Sequence, residues 1–224
     1  MKINNLEIEW LGHSGFLIKD LKSKKIIYID PFKIKEGLEK ADIIFITHSH
    51  YDHCSVEDIK KIVKEKTKIV LTADSQSKVT KLKTPLEIKI TEPNQEFFVG
   101  EIKVNTLPAY NIENQGHSKE DGWVGYIIKL GNVIIYHTGD TDFIPEMKKL
   151  TGYNQKDLVF ITLIPIGGRF TMNVEEALEA VKTIKPYLVI PMHYGSIIGK
   201  KEDAEEFVGL CKREGINAEI LEKI

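Results

Sequence analysis

The stretch Thr47-His48-Ser49-His50-Tyr51-Asp52-His53-Cys54 decides how the rest of the chain is interpreted. Three of the seven histidines in the sequence fall within six residues here, with an aspartate between the second and the third. The apolar run 43–46 precedes this stretch and predicts a buried strand. Ser55 follows it, with Asp58 three positions later, which predicts the start of a helix that continues to about residue 65. The polar groups are therefore expected in a tight loop between a strand and a helix.

The side chains of this loop form a set of metal ligands. Neutral imidazoles and a carboxylate suit zinc and its neighbours in the first transition row. His48 and His50 are two residues apart and can point the same way from an extended backbone, whereas Asp52 and His53 lie where the chain turns. Because these two pairs of side chains are expected to point in different directions, they indicate two metal ions. The alternative, a histidine-rich surface turn, is disfavoured because such turns usually lack a well-formed strand and helix on their flanks.

Composition limits the classes of protein to which the chain can belong. Its 224 residues suit one domain spanning residues 1–224, or two closely fused halves, with a substantial core. The net charge of −2 shows no excess of basic residues of the kind that nucleic-acid-binding proteins have, so nucleic acid is not a favoured partner. The N-terminus has no apolar leader, and no apolar run approaches the ~18 residues of a membrane span, so no membrane association is expected. Two cysteines, Cys54 and Cys211, fit a reducing compartment, and we expect a cytoplasmic protein.

Strand and helix patterns alternate along the chain and predict an α+β fold with two facing sheets and helices outside them. Predicted strands cover residues 6–10, 16–18, 26–29, 43–46, 69–71, 86–106 (in two or three pieces), 123–130, 133–137, 158–164, 188–190 and 217–221. Predicted helices cover residues 55–65, 74–82, 173–184 and 203–213. Asp30, Asp140 and His193 come directly after apolar strands or close behind them, where a rigid sheet can hold a ligand in place.

With these residues in view, the chain resembles the metallo-β-lactamase fold superfamily, whose signature is the H-x-H-x-D-H motif at 48–53. Within it the chain is similar to the UlaG-like branch of Zn-dependent hydrolases of the β-lactamase fold. The matching segments are 10–16 (WLGHSGF), 139–142 (GDTD), 164–168 (IPIGG) and 191–195 (PMHYG). The resemblance covers essentially the full length. It implies a four-layer αβ/βα sandwich with a dinuclear metal site at one edge.

The resemblance also implies a ligand set. One metal takes His48, His50 and a third histidine, and the other takes Asp52, His53 and His193. Asp140 bridges the two ions, so Asp52 and Asp140 are the carboxylates expected at the reacting centre. The implied cofactor is Zn²⁺, as two ions, with Mn²⁺ or Fe²⁺ as alternatives. A hydroxide held by these ions would then attack an ester, lactone, amide or phosphodiester of a small molecule.

The third histidine is where the sequence departs from the family pattern. Many relatives place this ligand about where Pro108-Ala109-Tyr110-Asn111 stands, and no histidine occurs there. We expect His117, six residues further on in a polar loop, to be the ligand. Alternatively, the first metal has only His48, His50, Asp140 and water, and His117 is a proton shuttle.

Several other residues each have two interpretations. His13 is either a hydrogen-bond donor to a ligand or a structural histidine, and Asp30 either orients a ligand histidine or caps the following turn. Buried hydrogen bonding is favoured over metal ligation for His137. Cys54 is expected to be a small buried packing residue, and Asp142 a helix N-cap.

Two residues are candidates for substrate binding, Arg169 and Tyr194. Arg169 can pair with an anionic group of a substrate or be a solvated surface residue. Tyr194 can donate a hydrogen bond to a substrate or cover an apolar edge. The leading hypothesis is a metal-dependent hydrolase. The alternatives are a non-catalytic metal or nucleotide sensor, suggested by the missing histidine near Tyr110, and a nuclease. Relatives of this type often assemble, so a homo-oligomer is also expected.

Overall fold

The structure is a computed structural model that describes residues 1–113 and 116–224. Residue contacts divide the chain into two units, one formed by residues 1–92 with 221–224 and the other by residues 93–220. Each unit has its own β-sheet and its own helices. The α+β class is therefore confirmed, while the single domain spanning residues 1–224 stays a prediction.

The first unit contains a seven-stranded sheet in which the strands follow one another in chain order. These are β1 (Lys2–Ile3), β2 (Leu6–Gly12), β3 (Gly15–Asp20), β4 (Lys25–Ile29), β5 (Ile43–Phe45), β6 (Lys68–Leu71) and β7 (Glu87–Ile90). The pairs from β1 to β4 are antiparallel, and those from β4 to β7 are parallel. Helix α1 (Val56–Ile62) and the short helix α2 (Gln76–Val79), preceded by a 3₁₀ turn at Ala73–Ser75, complete the unit.

The core of the first unit forms where α1 and α2 meet the sheet. Ile59 and Ile62 of α1 and Val79 of α2 are fully buried in one apolar cluster with sheet residues such as Tyr28 and Ile44. The spacing of Ile59 and Ile62 places both side chains on one face of α1, as the sequence pattern predicts. This packing holds the histidine loop rigidly, since the loop joins the end of β5 to the start of α1.

The second unit contains a six-stranded sheet in the order β13-β12-β11-β10-β9-β8. Its strands are β8 (Glu96–Val99), β9 (Ile102–Pro108), β10 (Val124–Leu130), β11 (Val133–His137), β12 (Val159–Pro165) and β13 (Leu188–Met192). Its helices are α3 (Val174–Ile184) and α4 (Lys201–Arg213), with 3₁₀ segments at Lys119–Asp121 and Pro145–Gly152. The predicted hairpin across Gly131-Asn132 is confirmed. So is the predicted start of α3, where Asn173 and Glu176 form a capping box.

The predicted strand at 217–221 is wrong. Only Ala218 forms a β-bridge there, with Val189 of β13. The backbone pairs with Val189 through Asn217 and Glu219, and from Leu221 onward the chain belongs to the other unit. A single bridge cannot make a strand, whatever the local β-propensity.

Parallel pairing explains how each unit brings polar residues together. The strands β11, β12 and β13 run parallel, so their carboxyl ends share one edge of the sheet. The same holds for β4 and β5 in the first unit. The residues that follow these strands include Asp30, the histidine loop, Asp140 and His193. Among the described helices, none combines the length and the apolar character needed to cross a membrane.

Candidate metal-binding residues

The first unit holds a group of side chains that we call the first set: His13, His48, His50, Asp52 and His53. His13, His48 and His53 are buried, whereas His50 is exposed. His13 lies between β2 and β3, and the others lie in the loop that follows β5.

A carboxylate and a hydroxyl orient two histidines of the first set. Asp30 is fully buried, and its Oδ2 lies 2.7 Å from His53 Nδ1. Thr47 donates to the same carboxylate twice, from its amide at 2.8 Å and its hydroxyl at 2.6 Å. Thr47 Oγ1 also lies 3.0 Å from His48 Nδ1. Because the hydroxyl hydrogen is used on Asp30, Nδ1 of His48 donates to Thr47, and the acceptor lone pair of each ring is on Nε2.

Asp52 lies between two imidazoles of the first set. Its Oδ2 is 3.0 Å from His13 Nε2 and 3.8 Å from His53 Nε2. These three residues each offer a ligand atom within 4.8 Å of the others. His48 and His50 form a second pair, with ring centroids 4.8 Å apart. The first unit alone therefore brings together nitrogen and oxygen donors of the kind that zinc binds.

Helix α1 anchors the carboxyl-terminal side of the histidine loop. Ser55 caps the helix and accepts from the amide of Asp58. Asp58 in turn accepts from the amides of Lys33 and Ile34 at 2.8 and 3.1 Å and from Lys61 Nζ at 2.9 Å. The loop is thus fixed by Asp30 at one end and by Asp58 at the other.

The second unit holds a smaller group, the second set: His117, Asp140 and His193. All three are buried. Asp140 Oδ2 lies 3.0 Å from His193 Nε2 and 3.6 Å from His117 Nε2. His117, predicted from a loop outside the family pattern, therefore contacts the same carboxylate as His193. In both units one carboxylate oxygen lies between two imidazole nitrogens.

Close packing fixes His193 from its backbone side. A Cβ atom added to Gly167 would come within 2.6 Å of the His193 carbonyl oxygen and 3.1 Å of its Nδ1. The loop after β12 can therefore pass the end of β13 only if residue 167 lacks a side chain. This contact explains the first glycine of the Gly167-Gly168 pair.

Three of the predicted residues have left-handed backbone conformations. The φ angles are 53° at His13, 43° at Asp30 and 61° at His193. Residues other than glycine adopt this region rarely, at a cost of about 1–3 kcal/mol each, and such strain is concentrated at functional sites.

The other predicted residues have the following environments. His137 is buried at the end of β11, and its Nδ1 accepts from the Gly139 amide at 3.2 Å. Arg169 is exposed and its guanidinium lies 4.9 Å from the ring centre of Phe170. Tyr194 is only 3% exposed. Cys54 is buried in the apolar cluster, and burial raises the pKa of its thiol to about 11.

The prediction that Asp142 caps a helix is wrong. The 3₁₀ segment starts after Ile144, which has no side-chain cap. Asp142 instead accepts from Asn111 Nδ2 and from the Ile112 amide, both at 2.8 Å. Its side chain is used to hold the 111–112 segment.

Sequence reasoning did not identify Thr47 or Asn111 as functional. Thr47 lies directly before His48, and its hydroxyl links Asp30 to that histidine. Asn111 lies in the segment 108–111, where the family resemblance implies a ligand histidine, and its side chain contacts His117. The signal for Asn111 is its position, because it is a buried polar residue in the segment where the resemblance implies a ligand.

Comparison with known proteins identifies the family. The protein-family model described as the β-lactamase superfamily domain matches residues 7–193 of this chain. The chain is 35% identical over 220 residues to a UPF0173 metal-dependent hydrolase of Thermoplasma acidophilum, covering 95% of this chain and 94% of that protein. The chain belongs to the β-lactamase superfamily. Within it, this relative places the chain among the UPF0173 metal-dependent hydrolases, so the predicted family and enzyme class are confirmed.

Solved structures of the superfamily agree on the fold. A crystal structure from Parabacteroides distasonis matches with a TM-score of 0.79 and 28% identity, covering 97% of this chain and 94% of that one. Igni18, a metallo hydrolase of Ignicoccus hospitalis, matches with a TM-score of 0.76 and 23% identity, covering 97% and 95% of the two chains. The predicted metallo-β-lactamase fold is confirmed.

The residues of this chain fit a metal ion. Both sets consist of imidazoles and carboxylates, the donors that zinc and similar divalent metals take from proteins. The hydrogen bonds to Nδ1 of His48 and His53 leave the lone pair of each ring on Nε2. A metal-binding histidine normally donates a hydrogen bond in this way from its other ring nitrogen to a carboxylate or a similar acceptor.

Proposed function

We propose that the protein is a zinc-dependent hydrolase with two metal ions, whose ligands are the residues that the family resemblance implies. We further propose that its substrate is a small molecule with an ester, lactone or phosphodiester bond, and that the protein is of the UlaG-like type. The observation that carries the proposal is the repeated arrangement of a carboxylate oxygen beside two imidazole nitrogens, at Asp52 and at Asp140. The family match at residues 7–193 includes every residue of both sets.

Each residue has a proposed role. The resemblance implies that His48, His50 and His117 would hold one ion, that Asp52, His53 and His193 would hold the other, and that Asp140 would also be a ligand. Zinc held in this way lowers the pKa of a bound water and stabilises the charge that develops on the attacked group. Asp52 and Asp140 are the carboxylates near enough to accept a proton during the reaction. Mn²⁺ or Fe²⁺ are the alternatives to zinc.

Arg169 and Tyr194 are the proposed substrate contacts. Arg169 is exposed on a glycine-bearing loop and stacks on Phe170, which limits the freedom of its guanidinium. A guanidinium in this position suits a carboxylate or phosphate group of a substrate. The role of Tyr194 requires a movement that uncovers its side chain, because only 3% of the residue is exposed.

We also propose a cytoplasmic location and a homo-oligomeric state, with neither membrane nor nucleic acid as a partner. Both cysteines are buried thiols, which suits a reducing compartment. The net charge of −2 does not favour binding to nucleic acid.

The test compares Asp140→Ala and His48→Ala with an exposed control, Asp157→Ala. Hydrolysis is measured with ester, lactone and phosphodiester substrates, and the zinc content is measured by elemental analysis. We expect either site variant to lower hydrolysis by at least about 100-fold, because each removes a metal ligand, while circular dichroism and the control remain unchanged. Full activity after metal removal would overturn the proposal. Zinc binding without turnover of any substrate would favour the sensor alternative.

A further inference from the structure

Asn111 contacts His117, and its side-chain hydrogen bonds to described residues are made inside the second unit. Nδ2 donates to Asp142 Oδ1 and to the carbonyl oxygen of Phe170, both at 2.8 Å. Oδ1 lies 2.8 Å from His117 Nδ1. Asn111 is only 6% exposed, so water does not compete for these bonds.

The hydrogen-bond pattern fixes which way the amide of Asn111 points. An amide nitrogen has two hydrogens, and both acceptors beside it, a carboxylate and a carbonyl, can only accept. The atom that faces His117 is therefore the oxygen, which has no hydrogen to give. It follows that Nδ1 of His117 donates, and that the lone pair of the ring is on Nε2, the nitrogen 3.6 Å from Asp140 Oδ2.

Aromatic neighbours fix the plane of the same ring. The ring centre of His117 lies 5.2 Å from that of Trp123 and 6.2 Å from that of Phe170, both in edge-to-face geometry. A backbone hydrogen bond adds a further restraint, since the main-chain N–H of Asn111 donates to the His117 carbonyl oxygen at 2.7 Å. Rotation of the ring is therefore restrained by contacts on several sides.

We propose that Asn111 is a positioning residue that sets the tautomer and direction of His117, and that Asp142 in turn holds Asn111. The inference rests on the proposed function, in which His117 is a metal ligand. It accounts for the absence of a histidine in the segment 108–111, because Asn111 of that segment orients a ligand supplied from position 117. The same amide also ties the Phe170 carbonyl, and hence the Arg169 loop, to the metal ligand.

The first experiment measures the His117 tautomer in the metal-free full-length protein. Long-range ¹H–¹⁵N correlation spectra distinguish an imidazole with hydrogen on Nδ1 from one with hydrogen on Nε2. We expect the Nδ1–H form in the wild type and a loss of that preference in Asn111→Ala. An Nε2–H form in the wild type, or an unchanged tautomer in Asn111→Ala, would overturn the inference.

The second experiment measures zinc affinity by competition with a chelator. Asn111→Ala should weaken binding by about 10- to 100-fold, the usual effect of removing a group that orients a ligand. Asn105→Ala is the matched control, because Asn105 also donates to a carboxylate, Glu96 at 2.8 Å, on the surface of the same unit. We expect the control to leave zinc affinity unchanged.

Exchanging the two residues provides a rescue. Asn111→Asp alone would place a second carboxylate 2.8 Å from Asp142, so it should weaken zinc binding. The double variant Asn111→Asp with Asp142→Asn restores the hydrogen bond between these two residues but leaves the Phe170 carbonyl facing a carboxylate oxygen, so it should recover part of the affinity lost in Asn111→Asp. It also distinguishes positioning from folding, because a variant that merely fails to fold would not be rescued in affinity and in tautomer together.

His117→Ala separates failure of this inference from failure of the proposed function. If His117→Ala weakens zinc binding and Asn111→Ala does not, His117 is a ligand and the positioning role of Asn111 is wrong. If His117→Ala leaves zinc affinity unchanged, the ligand role assigned to His117 is wrong, and the positioning role falls with it.

Discussion

The first and second sets reach the same local arrangement from different kinds of sequence. In the first, four of the five members lie within residues 48–53, and Asp52 Oδ2 is 3.0 Å from His13 and 3.8 Å from His53. In the second, the members are residues 117, 140 and 193, and Asp140 Oδ2 is 3.0 Å from His193 and 3.6 Å from His117. The first is built by one strand-to-helix loop, and the second by strands and loops far apart in the chain.

The supports of the two sets also differ in chemistry. A buried carboxylate, Asp30, orients two histidines of the first set, one directly and one through Thr47. A neutral amide, Asn111, contacts the one histidine of the second set that comes from a loop. A hydrogen bond to a charged group is about twice as strong as one between neutral groups. The comparison teaches that the first set depends on one buried carboxylate, whereas the second depends on a neutral amide at His117 and on the close approach of Gly167 to His193.

The largest effect is expected from Asp30→Asn, which breaks the support of the first set. An asparagine at this position has one oxygen in place of the two that accept from Thr47 and His53. We expect zinc affinity to fall by about 100-fold, at the upper end for a group that orients a ligand, because two histidines lose their orientation. Chelator competition measures the loss.

The control for this change is Asp20→Asn. Asp20 belongs to the same sheet, and its side-chain hydrogen bonds are confined to an exposed turn. It should bind zinc like the wild type. An Asp30→Asn protein with wild-type affinity would show that the first set does not depend on the charge of Asp30.

A smaller effect is expected from Gly167→Ala, which tests the packing of the second set. The new methyl group would meet the His193 carbonyl oxygen at 2.6 Å, so the backbone must shift. We expect the free energy of unfolding to fall by about 2 kcal/mol, as for overpacked interiors. Denaturant unfolding measures the loss, and zinc affinity should fall with it as His193 is displaced.

Gly152→Ala is the matched control, because an added Cβ at Gly152 has no atom within 4 Å. It should unfold like the wild type. If Gly167→Ala were equally stable, the contact with His193 would not limit residue 167 to glycine.

The smallest effect concerns Asp58, which fixes the far end of the first set's loop. Burial alone would raise the pKa of Asp58, but hydrogen bonds from Ser55 and Lys61 outweigh it and hold the pKa below its ordinary value. The stabilisation is therefore complete above the unfolded pKa of about 3.9 and is lost as the pH falls through the lower folded pKa. At pH 7, Asp58→Asn should lower the free energy of unfolding by about 1 kcal/mol.

The measurement is denaturant unfolding of the wild type and Asp58→Asn from pH 7 down to the acid limit of the folded state. The difference between them should be constant near neutrality and shrink below about pH 4. Asp157→Asn, an exposed aspartate, should show almost no difference at any pH. A difference for Asp58→Asn that grows on acidification would have the wrong sign for a lowered pKa.

Much of the fold was predictable because its signals are local. The alternating strand pattern before residue 10, the Gly131-Asn132 turn and the Asn173–Glu176 capping box each depend on a few neighbouring residues. The strand predicted at 217–221 failed because its pairing partner, Val189, lies far away in the sequence and offers only one bridge. Asp142 was misassigned for a similar reason, since its acceptor role depends on Asn111, a residue from another loop.

The sequence by itself determined the family, the α+β class and the chemistry of the first set, because the H-x-H-x-D-H motif lies in one short loop between a strand and a helix. Only the tertiary structure decided that His117 contacts Asp140, that Asn111 orients His117 and that Gly167 makes room for His193. The physical reason is distance along the chain. These contacts join residues brought together by sheet pairing and loop packing, and no local pattern records which distant side chains will meet.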